Sequence, residues 1–199
     1  MTCVAIIPAR GGSRRIPLKN IRHFHGKPII DYSIRAAQDS GLFSRVYVST
    51  DSPAVSSVAY RAGADVIWRP DNLAVDSVGT QAVAAHVLDT VLADHLTIRP
   101  PRYACCIYAT APLMTHLDLI EGYLMLRKAR VPYVYTVGPD WQDAGQWYWG
   151  EVDAFRTGVP LDQASFYKLP AERTCDINVE EDWARAEQLY ADHIRSKHD

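Results

Sequence analysis

A chain of 199 residues, 48% hydrophobic and 22% charged, is long enough for one domain with a sizeable core and too short for two. Its formal net charge of −2 argues against nucleic acid and anionic membranes as partners. No stretch approaches the ~20 apolar residues of a membrane helix, and the N-terminus shows no signal-peptide pattern. Cys3, Cys105, Cys106 and Cys175 are spaced for neither a zinc site nor an easy disulfide, so buried free thiols in a cytoplasmic protein are expected.

Residues 4–7 form an apolar run that reads as a buried strand, ended abruptly at Pro8. The loop that follows, from Ala9 to Asn20, places Gly11, Gly12 and Ser13 among four cations, Arg10, Arg14, Arg15 and Lys19. Glycine lets backbone N–H groups turn toward an oxyanion, and the basic side chains add formal charge. After the first strand of an α/β sheet, such a loop suits a polyphosphate. It is not a Walker A loop, because Lys19 follows Gly12 by seven positions and precedes Asn20, and no G-x-G-x-x-G string is present. A cationic loop on a nearly neutral protein favours a small anion over a polyanion.

Further along, 28–40 reads as a helix with Pro28 in its first turn, and 45–50 as a second strand. A helix capped by Asp51 or Ser52 runs to residue 62, and 64–68 is a third strand. A polar loop over 69–79 precedes a helix over 80–92, a surface loop over 95–102 and a strand over 103–108. A helix over 117–129 and a strand over 133–137 follow. The aromatic block 146–150 reads as a strand, 174–177 as a last short strand, and 179–195 as a helix facing the core with Trp183, Ala186, Leu189 and Tyr190; the tail 195–199 is expected to fray. This alternation predicts one domain over 1–199, a three-layer α/β/α sandwich with a mostly parallel Rossmann-like sheet, binding ligands at the carboxyl ends of its strands. The seven histidines show neither metal-ligand spacing nor a catalytic triad.

The string from Val4 to Asn20 resembles the signature of the sugar-activating cytidylyltransferases, the CMP-sialic acid synthetase family, and is closest to the branch that activates pseudaminic acid. The resemblance implies a sheet of the nucleotide-diphospho-sugar transferase type. It also implies that Ala9, Arg10, Gly11, Gly12, Ser13, Lys19 and Asn20 wrap the triphosphate of CTP. The run Ser49-Thr-Asp-Ser52 lies beside the nucleotide in that family, and by itself reads as a helix cap. The family's contacts to cytosine and ribose fall at Ser77 and Thr80; Ser77 is equally a helix cap. Tyr108-Ala-Thr-Ala-Pro-Leu113 resembles the nucleotide-side turn, with Thr110 as the contact, and also reads as a plain turn around Pro112.

Cys175-Asp-Ile-Asn-Val-Glu-Glu-Asp-Trp183 resembles a family segment whose two alternating aspartates hold magnesium. Residues two apart in an extended chain face the same side, so two carboxylates can converge on one cation. Here the pair is Asp176 and Asn178, and an amide oxygen binds Mg²⁺ without supplying negative charge. Asn178 also suits a helix N-cap, and Glu180, Glu181 and Asp182 favour the helix dipole. The block Asp143-Ala-Gly-Gln-Trp-Tyr-Trp-Gly150 resembles the string of the pseudaminic acid branch, which implies sugar contacts from Asp143, Gln146 and Tyr148; it reads also as a Trp/Tyr core strand. Relatives carry several tens of residues between the strand 133–137 and this block as a dimerisation arm. Here five remain, so a homodimer is compatible with the resemblance but the usual arm is missing.

The implied activity is Mg²⁺-dependent transfer of CMP from CTP to a nine-carbon sugar acid. Arg10 and Lys19 would neutralise the leaving pyrophosphate, and Asp176 would anchor the metal. Arg173 reads either as a phosphate or carboxylate ligand or as a surface arginine, and the sequence names no general base. The alternative is a degenerate nucleotide- or sugar-binding module of the same fold, to which Asn178 and the missing arm point. A third reading is a nucleotidyltransferase for another sugar.

Overall fold

The computed structural model describes residues 2–94 and 99–195. In chain order its elements are β1 (Cys3–Pro8), β2 (His23–Phe24), β3 (Lys27–Pro28), α1 (Ile29–Asp39), β4 (Phe43–Thr50), α2 (Pro53–Arg61), β5 (Asp65–Trp68) and α3 (Thr80–Ala93). There follow β6 (Tyr103–Ile107), α4 (His116–Ala129), β7 (Tyr133–Val137), β8 (Asp143–Glu151), α5 (Val152–Thr157), β9 (Ser165–Lys168) and α6 (Glu180–Arg195).

β1 is apolar on both faces, and period-two alternation divides it between two cores. Ala5 and Ile7 join Ile30 and Ile34 of α1, Val55 of α2 and Leu119 of α4; Val4 and Ile6 meet Val87 and Leu88 of α3 and Phe155 of α5. A strand covered on both faces belongs in the middle of a sheet, and among the described residues the order is β5-β4-β1-β6-β8-β7-β9. β5, β4, β1 and β6 pair in parallel, as do β7 and β9, whereas β8 is antiparallel to both its neighbours. The sheet is therefore mostly parallel with helices on both faces. Reversing one strand has a functional consequence: the start of β8, at Asp143, comes to the edge where the other six strands end.

A third, smaller cluster lies under the loop that follows β1. Ile16, Phe24, Ile29, Leu113, Cys175, Ile177, Trp183 and Ala186 bury together, so α6 is held against the loop that follows β1. Arg22 reinforces this contact: Nη1 donates to both carboxylate oxygens of Glu180 at 2.7 Å, and the guanidinium lies 4.5 Å from the centre of the Trp183 ring. All four cysteines are buried and free.

Several expectations need correction. The segment 174–177 pairs with no strand; the edge strand is β9, from residues to which the sequence reading gave no element, where Leu169 N–H also donates to Val137 O at 2.9 Å. α5 and the β2–β3 hairpin were not read from the sequence either. Ser52 is the cap of α2, accepting from Val55 N–H at 3.4 Å, while Asp51 turns instead to Gly11. Residues 95–98 of the expected surface loop, and 196–199 of the tail, lie outside the described residues. No helix among the described residues is long and apolar enough to cross a membrane.

The aromatic block belongs to the core. Trp147 and Trp149 pack toward α4, and α4 can approach them because residue 122 is glycine: an added Cβ would meet Trp147 Cη2 at 2.2 Å and Trp149 Cδ1 at 2.9 Å. Gly122→Ala should therefore destabilise the fold by about 1–3 kcal/mol in urea unfolding. Gly12→Ala, where nothing lies within 4 Å of the new carbon, should stay within about 0.5 kcal/mol of wild type.

Candidate active site

The carboxyl ends of β1, β5 and β6 open onto a cleft of about 660 Å³. Its wall carries Arg10, Ser13, Arg14, Arg15, Lys19 and Asn20 from the loop after β1, and Arg69, Thr80, Tyr108, Thr110 and Asn178 from elsewhere. All four expected cations thus face one space.

The loop is held from several sides. Gly11 N–H donates to Asp51 Oδ1 at 2.8 Å, Asn20 Nδ2 to Arg10 O at 2.9 Å, and Ser13 N–H to Gly11 O at 3.1 Å. Gly11 also sits so close to Ser52 that an added Cβ would lie 2.7 Å from Ser52 Cβ. Its N–H is committed to Asp51, so the expectation that both glycines offer N–H groups to an oxyanion does not hold at Gly11. Ala9 is buried, and its N–H donates to Ser49 O at 2.9 Å.

Side-chain charge supplies most of the site's cationic character. Arg10 is paired with Asp76, which also lies 3.6 Å from Arg14 Nε. The Arg10 hydrogen bond and charge hold the exposed Asp76 carboxyl below its ordinary range. Lys19 Nζ donates to Ile177 O at 2.7 Å, stitching the loop to the segment before α6. Burial pulls the Lys19 ammonium below its usual value, opposed by the Asp176 charge and assisted by Arg15 and Arg10.

Asp176 and Asn178 lie on one side of an extended segment, with Cys175 and Ile177 turned into the core. Asn178 Nδ2 donates to Asp176 Oδ2 at 2.7 Å, and Asn178 Oδ1 accepts from Arg15 Nη2 at 3.3 Å. Asp182, in the first turn of α6, reaches back so that its Oδ2 accepts from the N–H groups of Asn178 (2.8 Å) and Val179 (2.9 Å). Asn178 therefore does not spend its side chain on capping, which leaves it to link Arg15 to Asp176.

A second cavity of about 380 Å³ is lined by Asp143, Ala144, Thr174, Asp176, Asp182 and Arg185, among others. Asp176 lines this cavity and its hydrogen-bond partner Asn178 lines the larger cleft. Asp143 Oδ1 accepts from Gly145 N–H at 2.8 Å. Burial raises its carboxyl above the ordinary range, and the nearby Asp176 charge adds to this. Gly145 has φ +61°, and an added Cβ would lie 2.8 Å from Asp176 Cγ, so glycine is what lets the start of β8 approach Asp176.

Other expected residues sit elsewhere. Gln146 and Tyr148 are buried and line neither cavity; Tyr148 donates its hydroxyl to Thr80 Oγ1 at 2.8 Å and so supports the cleft from behind. Ser77 is exposed and outside the cleft lining. Arg173 is neither a free surface group nor part of the cleft, because it pairs with Asp118. Sequence reasoning missed Arg69: 7% exposed, it donates Nη2 to Ser49 O at 2.8 Å and Nε to Ser49 Oγ at 3.4 Å, and it lines the cleft. Its position directly after the third strand was the available signal. Tyr108, which opens the turn whose expected contact was Thr110, lines the cleft as well, its hydroxyl raised above the ordinary value by burial.

A family model described as Cytidylyltransferase matches residues 4–148. The pseudaminic acid cytidylyltransferase of Campylobacter jejuni is 30% identical, with 96% of this chain and 97% of that protein covered. The alignment runs over 227 positions, more than the 199 residues here, so that relative carries residues this chain lacks. N-acylneuraminate cytidylyltransferase A of Danio rerio is 30% identical over 92% of this chain and 50% of its own length. The solved structure of CMP:2-keto-3-deoxy-manno-octonic acid synthetase complexed with CTP shares the fold, with a TM-score of 0.76 at 16% identity over 97% of this chain and 100% of that one. The matched region contains the cationic loop and most of the cleft wall. The chain belongs to the cytidylyltransferase family.

Proposed function

We propose that the protein transfers the cytidylyl group of CTP to the anomeric hydroxyl of a nonulosonic acid, with pseudaminic acid as the acceptor, releasing pyrophosphate. The observation that carries this reading is the contact of Lys19 with Ile177 O, which joins the cationic loop to the segment bearing Asp176 and Asn178 at the junction of two cavities. In the transfer, the sugar oxygen forms a bond to the α-phosphorus while the bond from that phosphorus to the pyrophosphate oxygen breaks. Such displacements depend on positioning and on neutralising charge.

In the 660 Å³ cleft, Arg10, Arg14, Arg15 and Lys19 face the triphosphate, with Arg10 exchanging its Asp76 partner for phosphate oxygens. Ala9, Gly11, Gly12, Ser13 and Asn20 shape the loop around it. Thr80, Thr110 and Arg69 stand at the nucleoside side, with Ser77 on the adjoining exposed loop. Asp143, in the 380 Å³ cavity, orients the sugar hydroxyls, supported from the core by Gln146 and Tyr148.

The donor set fits a divalent cation shared with substrate. Among the described residues no group of three or more His, Cys, Asp or Glu could hold an ion by itself. Mg²⁺ characteristically binds through one or two carboxylates together with substrate phosphates, and Asp176, with the Asn178 amide oxygen beside it, supplies hard oxygen donors of that kind. When bound, the ion supplies charge neutralisation at the phosphates. The site thus takes CTP as co-substrate and Mg²⁺ as cofactor. The degenerate-module alternative is not favoured, since the four loop cations and Asp176 remain together.

The test is pyrophosphate release with CTP, Mg²⁺ and, separately, pseudaminic, legionaminic and N-acetylneuraminic acids. Release that needs CTP and pseudaminic acid is expected; release with another acid alone would move the acceptor, and none with any acid would sink the reading. Asn178→Asp adds a second carboxylate, so the Mg²⁺ concentration for half-maximal turnover should fall. An unchanged Mg²⁺ dependence would remove residue 178 from the metal site.

A further inference from the structure

The segment that carries Asp176 lies between β9 and α6 with no strand ladder to hold it, yet a metal anchor has to be placed within a fraction of an ångström. Two groups grip it three residues upstream. Gln146, 1% exposed on β8, donates Nε2 to the carbonyl of Arg173 at 2.5 Å. The Arg173 side chain runs the other way, its Nη1 donating to Asp118 Oδ2.

Asp118 is 2% exposed and is the meeting point of three elements. Its carboxylate accepts from Thr115 N–H (2.8 Å) and Thr115 Oγ1 (2.7 Å) at the start of α4, from the Tyr167 hydroxyl (3.1 Å) on β9, and from Arg173. A buried ion pair is a poor way to gain stability, because apolar side chains of similar volume would hold the chain at no desolvation cost; what it offers is a fixed direction. Here that direction is given to the backbone leading into Asp176.

We propose that Arg173 is a positioning residue for cytidylyl transfer: its pair with Asp118, together with the Gln146 grip on its carbonyl, sets where the Asp176 carboxylate stands. The proposal rests on Asp176 being the anchor of the divalent cation. It gives a role to the arginine whose reading was left open by the sequence, and it makes Gln146 part of the frame behind the site.

The experiment measures Mn²⁺ binding by electron paramagnetic resonance in the presence of CTP, CTP binding by calorimetry without metal, and kcat. The variants are Arg173→Met, Arg173→Lys, Gln146→Leu and Asp176→Asn. Arg173→Met should weaken Mn²⁺ binding roughly 10- to 100-fold, the range for a residue that orients a metal ligand, with a matching loss of kcat and metal-free CTP affinity within about two-fold of wild type. Arg173→Lys, which keeps the charge, should recover part of the Mn²⁺ affinity. Gln146→Leu leaves no buried charge unpaired and should show the same metal-selective loss, so it decides the matter if Arg173→Met does not fold. Wild-type Mn²⁺ binding in Arg173→Met or Gln146→Leu would overturn the proposal, as would equal losses of metal and metal-free CTP affinity. If Asp176→Asn leaves Mn²⁺ binding intact, the anchor assignment fails. If Asp176→Asn loses the metal and the others keep it, the positioning role alone fails.

Discussion

The ammonium of Lys19 is the joint on which the site depends. It is drawn under the loop after β1 and hydrogen-bonded to the carbonyl of Ile177, 158 residues away in the chain. A partly buried ammonium loses some hydration, and here the Ile177 carbonyl and the Asp176 charge offset that cost. The loop's other fixings, Gly11 to Asp51 and Asn20 to Arg10, would be of little use without it, because they give the loop a shape but do not bring it to Asp176. The third hydrophobic cluster serves the same junction: Ile16 from the loop and Ile177 from the far segment are buried side by side with Trp183.

Sheet topology supplies the second half of the site. With β8 reversed between β6 and β7, Asp143 begins where its neighbours end and meets Asp176 across Gly145. The remainder of β8 is then free to be core, which is why Trp147 and Trp149 bury against α4 while Asp143 alone of the expected sugar-contact residues reaches a cavity. The link from β7 to β8 is a tight turn, closed by Gly138 N–H to Gln142 O at 2.8 Å and by Trp141 at φ +65°. This five-residue link is where the resemblance implies a dimerisation arm in relatives.

Much of this was legible from sequence because it was local. The apolar run before Pro8, the double glycine, the four cations and the D-x-N spacing each follow from contiguous residues, and the structure brings the four cations and Asn178 to one cleft, with Asp176 lining the neighbouring cavity. What was not legible depended on partners distant in the chain. β9 is a four-residue edge strand with its side chains only partly buried, too short and too mixed to show a period. Residues 174–177 alternate in and out as a strand would, but find no partner strand, and α5 is a six-residue turn of helix hidden behind the aromatic block. Arg173 was noticed, but nothing local could show its role: its partner is Asp118, 55 residues earlier. Tyr148 and Gln146 were assigned by position in a motif, and the motif does not distinguish a wall of the cavity from the frame behind it.

The most direct test of this account is the coupling between metal and nucleotide across Lys19. CTP binding would be measured by calorimetry with and without Mg²⁺, for wild type and Lys19→Met. If Lys19 both contacts phosphate and holds the loop to the Asp176 segment, the variant should lose roughly 10- to 100-fold in CTP affinity. The tightening of CTP by Mg²⁺ expected of wild type should also collapse. A variant that binds CTP more weakly by the same factor with and without Mg²⁺ would show that the loop and the Asp176 segment act independently, and would contradict the account.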